Sequence, residues 1–435
     1  RSLFVLPDFY IFTSDQIQPE RSPLPQSPKS KLMKIGIIRE GKVPPDSRVP
    51  IIPEQCAAIL ARHEGLDIVV QPAAGRCYPD QSYRHQCIAL EEDLRDCDVL
   101  LGVKEVPIEQ LLPEKTYFFF SHTIKEQPYN RKLLQAVLRN NIHLVDYEVL
   151  TDDRGKRLIA FGKFAGMVGA HNGIMAYGRR TGQFELVRMK DCLDYAEARQ
   201  AYKKMQWPAM KIALTGTGRV GQGAALVLRD MGIREVSPEA FLEEPRDEAV
   251  FTVLACSDYA VRKDGKPFHK QDFYQNPSAY KSIFAPYAAV ADVMINGIYW
   301  DNAAPAFFTA EEMRRQAFNI QVIADVTCDI APVSSIPSTL RPSTILHPVY
   351  GYDPVTEAET APYQAHTVDM MAVDNLPNEL PRDASKAFGQ QFMDYILPEL
   401  LRPGSKIIER ATVAIQGRLG PHFQYLKNYV EGVKA

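Results

Sequence analysis

The chain has 435 residues, enough for two or three domains at roughly 100–200 residues each. Hydrophobic residues make up 46% and charged residues 24%, which excludes global disorder, collagen and coiled coil. Fifty basic residues stand against fifty-three acidic ones, so the formal net charge of −3 supports neither a nucleic-acid partner nor a membrane surface. The uncharged stretches 165–178 and 282–291 fall short of the roughly 18 apolar residues of a membrane span. Seven scattered cysteines without CxxC spacing exclude a disulfide scaffold and a zinc knuckle, so no metal is expected and reduced thiols are.

Residues 1–32 start on Arg1 and carry Pro7, Pro19, Pro23, Pro25 and Pro28 among serines. They read as a disordered leader or a translation artefact, since Pro7 and Asp8 interrupt the apolar start and acidic residues are foreign to transit peptides. From Met33, a plausible true start, short β-rich runs alternate with helical text. Strands are predicted over 33–38, 66–70, 98–103, 116–120 and 142–145, with a helix over 53–62. A second series follows at 211–215, 250–255, 292–296 and 321–324. That alternation predicts parallel sheets covered by helices, an α/β chain of two doubly wound, Rossmann-like domains. The tail from Arg382 reads as helices, for example over 384–401, that pack back on the first domain.

Residues 210–232 read MKIALTGTGRVGQGAALVLRDMG. A short apolar strand runs into Gly216, Gly218 and Gly221, with Arg219 and Val220 inside the loop. The helix that follows keeps Val220, Ala224, Val227, Leu228 and Met231 on one face, and Gly232 sits at its stop. Strand, glycines and helix in that order predict a pyrophosphate site at the helix N-terminus. About 20 residues after the first glycine, where the coenzyme ribose is usually read, stand Arg234, Glu235 and Ser237. Glu235 suits NAD(H), and Arg234 or Ser237 suits the 2′-phosphate of NADP(H). The reading leans to NADP(H).

In such sheets ligands sit outside the carboxyl ends of the strands. Three apolar strands of the first domain end there on chemistry: Lys104 and Glu105, then His122 with Lys125, then Glu148. A desolvated lysine, a histidine and a carboxylate at one edge form a credible general acid/base set. Arg48 and Arg157 follow turn-like text, and their guanidinium forks suit carboxylates. Asp325 ends a strand of the second domain. Phe161 opens the segment 161–166, read as a domain junction because its glycines let backbones approach.

These residues sit in text that resembles a known family: LLGVKEVP (100–107), FFFSHTIKEQ (118–127), VDYE (145–148), GKRLIAFGKFAG (155–166), TGTGRVGQGA (215–224), INGIYW (295–300), ADVTCD (324–329), ILHPVYGYD (345–353) and VDNLPNELPRDAS (373–385). The chain resembles the lysine-forming saccharopine dehydrogenases, and still more the lysine–oxoglutarate reductase half of the animal bifunctional aminoadipic semialdehyde synthase. The wider superfamily includes alanine dehydrogenase and a transhydrogenase domain. The resemblance implies two Rossmann-like domains with the active site in the cleft between them. It implies that 33–161 plus 382–435 form the substrate domain and 162–381 the dinucleotide domain. It further implies that Lys104 and His122 are the acid/base pair, tuned by Glu148 and Glu105. Arg48 and Arg157 would hold substrate carboxylates, with Lys125 nearby and Phe161 at the hinge. Gly216, Gly218 and Gly221 would cradle the pyrophosphate, and Asp325 and Asp374 would line the cleft from the coenzyme side.

The activity so implied is reductive condensation of L-lysine with 2-oxoglutarate to saccharopine, or its reverse, with NADP(H) or NAD(H). The glutamate-forming half of the animal enzyme has no counterpart in these residues, so chemistry at the lysine end alone is expected. The alternatives are an alanine dehydrogenase-like amino-acid oxidoreductase, and a non-catalytic transhydrogenase-like dinucleotide-binding module. A cytoplasmic location is expected, with the mitochondrial matrix as the alternative. Direction and oligomeric state are left open.

Overall fold

The computed structural model describes residues 33–433, so the expectation for 1–32 lies outside the described residues. Six parallel strands begin the described residues: Met33–Ile37 (β1), Leu66–Val70 (β2), Ala89–Leu90 (β3), Val99–Leu101 (β4), Thr116–Phe119 (β5) and His143–Asp146 (β6). They stand side by side as β3-β2-β1-β4-β5-β6. That order reverses direction between β1 and β4, which is where a doubly wound sheet opens a crevice at its carboxyl ends. The strands are nearly continuous runs of Val, Ile, Leu and Phe because helices cover both faces.

The second sheet contains Lys211–Thr215 (β7), Arg234–Glu235 (β8) and Val250–Leu254 (β9). A small antiparallel pair, Ala260–Arg262 (β10) and Tyr280–Ser282 (β11), stands apart from it. Val293–Asn296 (β12), Val322–Asp325 (β13), Val349–Asp353 (β14), Ala358–Thr360 (β15) and Val368–Met371 (β16) complete it. The order is β8-β9-β7-β12-β13-β16-β14-β15, with β14 and β15 antiparallel to their neighbours. Its switch point lies between β7 and β12, where Gly216 and Gly297 end the two strands.

Three helices position the site. Pro53–Arg62 (α1) starts on a proline with Glu54 in its first turn and ends on Arg62, which suits the helix dipole. Gly162–Thr181 (α2) is a twenty-residue helix buried on nearly every side. It escaped the sequence reading because a helix buried all round carries no apolar stripe to detect. It crosses Arg219–Asp230 (α3) with the backbones in contact: a Cβ on Gly166 would lie 1.9 Å from the Val220 carbonyl oxygen. The glycine-rich junction read over 161–166 is therefore the start of α2.

The tail is not helical throughout, as the sequence suggested. Pro381–Gln391 (α4) and Leu397–Leu401 are helices, but Thr412–Ile415 (β17) and Arg418–Leu419 (β18) are strands. β17 pairs antiparallel with β6 and extends the first sheet to eight strands. Among the described residues no helix is long and apolar enough to cross a membrane.

Candidate active site

The carboxyl ends of both sheets face one cleft of about 520 Å³. Arg48, Lys104, His122, Glu148, Arg157 and Phe161 line it from the first sheet. Gly218, Arg219, Val220 and Asp374 line it from the second, with Gly297, Ile298 and Tyr299. Ten of the residues singled out from the sequence thus meet at one place.

Lys104 follows β4 and is held by its backbone. The Glu40 carboxylate accepts the N–H of Val103 at 2.6 Å and of Lys104 at 2.8 Å. Burial, with Arg48 and Lys42 nearby, lowers the Lys104 ammonium to about 8. Burial, with Asp46 nearby, pushes Glu40 up to about 8. A lysine in that condition exchanges protons close to neutrality.

His122 follows β5 with φ 53°, a left-handed conformation uncommon for a non-glycine residue and enriched at functional sites. Its Nδ1 lies 2.5 Å from Glu105 Oε1, which leaves Nε2 for a substrate. Lys42 Nζ takes the other Glu105 oxygen at 3.1 Å. Burial raises the Glu105 carboxyl, but the hydrogen bond and charge of His122, with Lys42, outweigh it and bring it down to about 2. Asp146, buried at the end of β6, accepts from Ser121 Oγ at 2.5 Å and Ser121 N at 3.0 Å, tying β5 to β6 beside the histidine.

Glu148 shares one oxygen with Lys125 at 3.5 Å and Arg157 at 3.9 Å. Its Oε2 is buried with no hydrogen-bond partner. Lys125 is half exposed at the mouth. Arg157 lies over the Phe120 ring at 5.3 Å and donates from Nε to Ile159 O at 3.1 Å.

Arg48 lines the cleft with its fork already engaged. It is buried, and its fork already holds Asp46, Nε to Oδ1 at 2.9 Å and Nη2 to Oδ2 at 2.5 Å. Nη2 also donates to Asn375 Oδ1 at 2.9 Å, and the guanidinium lies 4.2 Å over Phe161. Burial raises the Asp46 carboxyl, yet Arg48 outweighs it and holds it well below the usual range. Phe161 stacks on Phe388 of α4 at 4.5 Å, so the junction residue is clamped between Arg48 and the tail.

On the other wall, Gly216 has φ +103°, and a Cβ on Gly221 would lie 1.8 Å from Gly216 O. A Cβ on Gly218 would meet nothing within 4 Å. These glycines leave open space above the N-terminus of α3, the cradle a pyrophosphate requires. Arg219 reaches across to donate to the Arg157 carbonyl oxygen. A second cleft of about 340 Å³, lined by Gly216, Gly218, Cys256, Tyr259 and Trp300, shares Gly218, Gly297, Ile298 and Tyr299 with the first. The two together form one continuous trough past the glycine loop.

Two expected residues stand elsewhere. Asp325 is fully buried and faces the protein: its carboxylate accepts from Asn296 Nδ2 at 2.9 Å, Thr339 Oγ1 at 2.6 Å and Cys328 N at 3.2 Å. It ties β12 to β13 beneath the cleft without lining it. Ser237 caps the short helix Pro238–Glu243, accepting from Ala240 N at 3.2 Å. The sequence reading missed Glu40, Asp46, Asn375 and Tyr299. Tyr299 lay in INGIYW and Asn375 in VDNLPNELP, so those motifs carried a signal. Glu40 and Asp46 had none beyond lying near Arg48.

Comparison with known proteins agrees with this architecture. Residues 36–168 match the alanine dehydrogenase/PNT N-terminal domain family. The chain is 29% identical to the α-aminoadipic semialdehyde synthase of Arabidopsis thaliana, over 90% of its own length and 41% of that protein. It is 26% identical to the NAD(+), L-lysine-forming saccharopine dehydrogenase of Emericella nidulans, over 87% of this chain and 95% of that one. The chain thus spans about half the length of the aminoadipic semialdehyde synthases it matches. Among solved structures, an L-alanine dehydrogenase superposes with a TM-score of 0.62 at 18% identity, covering 91% of this chain and 99% of that one, which shows the shared two-sheet fold.

Proposed function

We propose that this homologue of the saccharopine dehydrogenases is a nicotinamide-dependent oxidoreductase that condenses L-lysine with 2-oxoglutarate to saccharopine, or reverses that reaction. The observation that carries the reading is a lowered-pKa lysine and a carboxylate-held histidine facing the mouth of a glycine-loop trough. The ε-amine of lysine attacks the keto carbon, water leaves and an imine remains. A bound nicotinamide supplies hydride to that imine carbon.

The chain's own residues have distinct tasks. Lys104 Nζ, neutral in part near pH 7, takes up the proton released as the amine adds. His122 Nε2 gives a proton to the departing hydroxyl, while Glu105 fixes the ring through Nδ1. Arg157, with Lys125 and Arg219, holds keto-acid carboxylates. Arg48 contributes mainly by clamping Asp46 and Asn375 across the cleft.

Glu148 favours lysine over ammonia as the amine. Its buried Oε2 lacks a donor, and an unpartnered buried carboxylate oxygen is costly. An ammonium on the substrate satisfies it. The test is absorbance at the reduced-nicotinamide band with L-lysine, 2-oxoglutarate and either coenzyme. Lysine-dependent oxidation supports the reading. Turnover only with pyruvate and ammonia moves the chain to alanine dehydrogenase chemistry, and no turnover with either pair favours a binding module.

A further inference from the structure

We infer that Tyr299 determines amine specificity: its ring covers the methylene chain of the lysine substrate where the two clefts meet. This rests on the condensation proposed above and deepens it.

Tyr299 belongs to INGIYW (295–300), a stretch whose aromatic residues the proposed chemistry leaves without a task. β12 ends at Asn296, and the chain then turns between the clefts. Gly297, Ile298 and Tyr299 line the cleft of Lys104 and His122 as well as the cleft beside the glycine loop. The turn is pinned on both sides of Tyr299. Before it, Gly297 N donates to Thr215 O at 3.0 Å and Thr327 Oγ1 donates to Ile298 O at 2.8 Å. After it, Trp300 Nε1 donates to Pro305 O at 3.4 Å, and Asp301 Oδ1 accepts from Ala303 N at 2.8 Å. Yet the side chain on this fixed base is 91% exposed, the most exposed large apolar side chain among the described residues. Among those residues its hydroxyl has no hydrogen-bond partner and its ring no aromatic or cationic neighbour.

The other rings of the cleft are already occupied. Three benzene-type rings line it: Phe120, Phe161 and Tyr299. Arg157 lies over Phe120 at 5.3 Å, with the Tyr147 ring also at 5.3 Å. Phe161 is held between Arg48 at 4.2 Å and Phe388 at 4.5 Å. Both phenylalanines are buried, so Tyr299 is the ring of the three that offers a free apolar face to a ligand.

The charged groups of the cleft suit carboxylates, ammonium groups and protons, and none of them covers a hydrocarbon chain. A lysine stem packs along an apolar surface while its charged ends keep polar surroundings. An aromatic ring supplies such a surface in one rigid piece. Hydride delivered from the glycine-loop trough puts the imine at the junction of the clefts, so the chain on its nitrogen starts beside Tyr299. Ammonia has no chain, and the ring gives it nothing.

The test measures steady-state kinetics of the full chain with L-lysine and 2-oxoglutarate, beside calorimetric titration with ADP-ribose, a redox-inactive dinucleotide fragment. Tyr299→Ala, at an exposed position, should keep its fold. It should raise the KM for lysine about 10–100-fold. Turnover, the KM for 2-oxoglutarate and the affinity for ADP-ribose should stay within about threefold, the split expected when a uniform binding contact is lost. Tyr299→Phe should restore the lysine KM, because the ring and not the hydroxyl makes the contact. An unchanged lysine KM in Tyr299→Ala overturns the inference while the proposed function stands. So does an ADP-ribose affinity weakened about tenfold, which gives the ring to the dinucleotide, and so does a Tyr299→Phe variant that behaves as Tyr299→Ala. A wild type that binds ADP-ribose yet oxidises no reduced nicotinamide with lysine overturns the proposed function, and the inference with it.

Discussion

Replacing Lys104 by methionine separates the chemistry of the cleft from its stability. Burial, with Arg48 and Lys42, lowers the ammonium from 10.5 to about 8, and in the unfolded chain it returns to about 10.4. The folded state then binds fewer protons than the unfolded state between those values, so stability rises with pH across that window. Below pH 8 the buried charge costs the fold on the order of 3 kcal/mol. Methionine keeps the length of the side chain without the charge. At pH 7 the variant should therefore unfold at the same or a higher urea concentration, with a gain of up to about 3 kcal/mol. Its turnover should fall by about 10²–10⁴, the usual worth of a general acid/base. The wild type carries about a tenth of Lys104 as free amine at pH 7, against roughly one part in three thousand for an exposed lysine. Its kcat/KM should accordingly show a limb near pH 8 that the variant lacks. The assay pairs lysine-dependent oxidation of reduced nicotinamide with urea unfolding at pH 7 and pH 9.5. Turnover within threefold of wild type, or a stability loss above about 2 kcal/mol, refutes the reasoning.

Glu105→Gln leaves His122 Nδ1 without its ionised partner, and turnover should drop about tenfold while ADP-ribose affinity holds; unchanged turnover removes Glu105 from the site. Arg157→Ala should raise the KM for the keto acid about 10–100-fold, the worth of a charge-assisted hydrogen bond. An unaltered KM would hand the carboxylate to Arg219 or Lys125. Gly221→Ala drives a Cβ to 1.8 Å from Gly216 O, so titration with ADP-ribose should detect no binding, and a melting curve should show a loss of about 1–3 kcal/mol or more. Wild-type affinity in that variant would mean the loop does not need the close approach.

Periodicity made the parallel strands legible, because each is a short apolar run bounded by breakers. The ends of those runs carried Lys104, His122 and Glu148, and the structure brings all three to one cleft. What stayed hidden was non-local. The strand β17 is a four-residue run whose partner, β6, lies more than two hundred and fifty residues earlier. Asp325 looked like a cleft residue because it ends β13, but Asn296 and Thr339 turn its carboxylate inward. The ribose position was sought by counting along the chain, and the placement of β9 between β8 and β7 leaves the counted residues at the sheet edge, one strand from the glycine-loop strand. Motif spacing encodes which residues share a strand end, whereas sheet order decides which strand ends are neighbours.

The cleft is closed by ties that cross it in both directions, and this explains why two arginines of similar appearance have different work. Arg48, from the first sheet, holds Asn375 beyond β16, while Arg219, from the second, holds the Arg157 carbonyl. Arg48 spends its fork on Asp46, and removing one partner of such a buried pair costs about 3–5 kcal/mol. That pair is a fixed part of the wall, and a substrate carboxylate would have to displace Asp46 to use it. Arg157 has only Nε committed to the backbone, and its Nη1 lies 3.9 Å from Glu148. It can therefore turn to an incoming carboxylate without leaving a buried charge unpaired. Since Arg219 grips the same residue by its carbonyl oxygen, the proposed anchor for the keto acid is held in place from the glycine-loop wall.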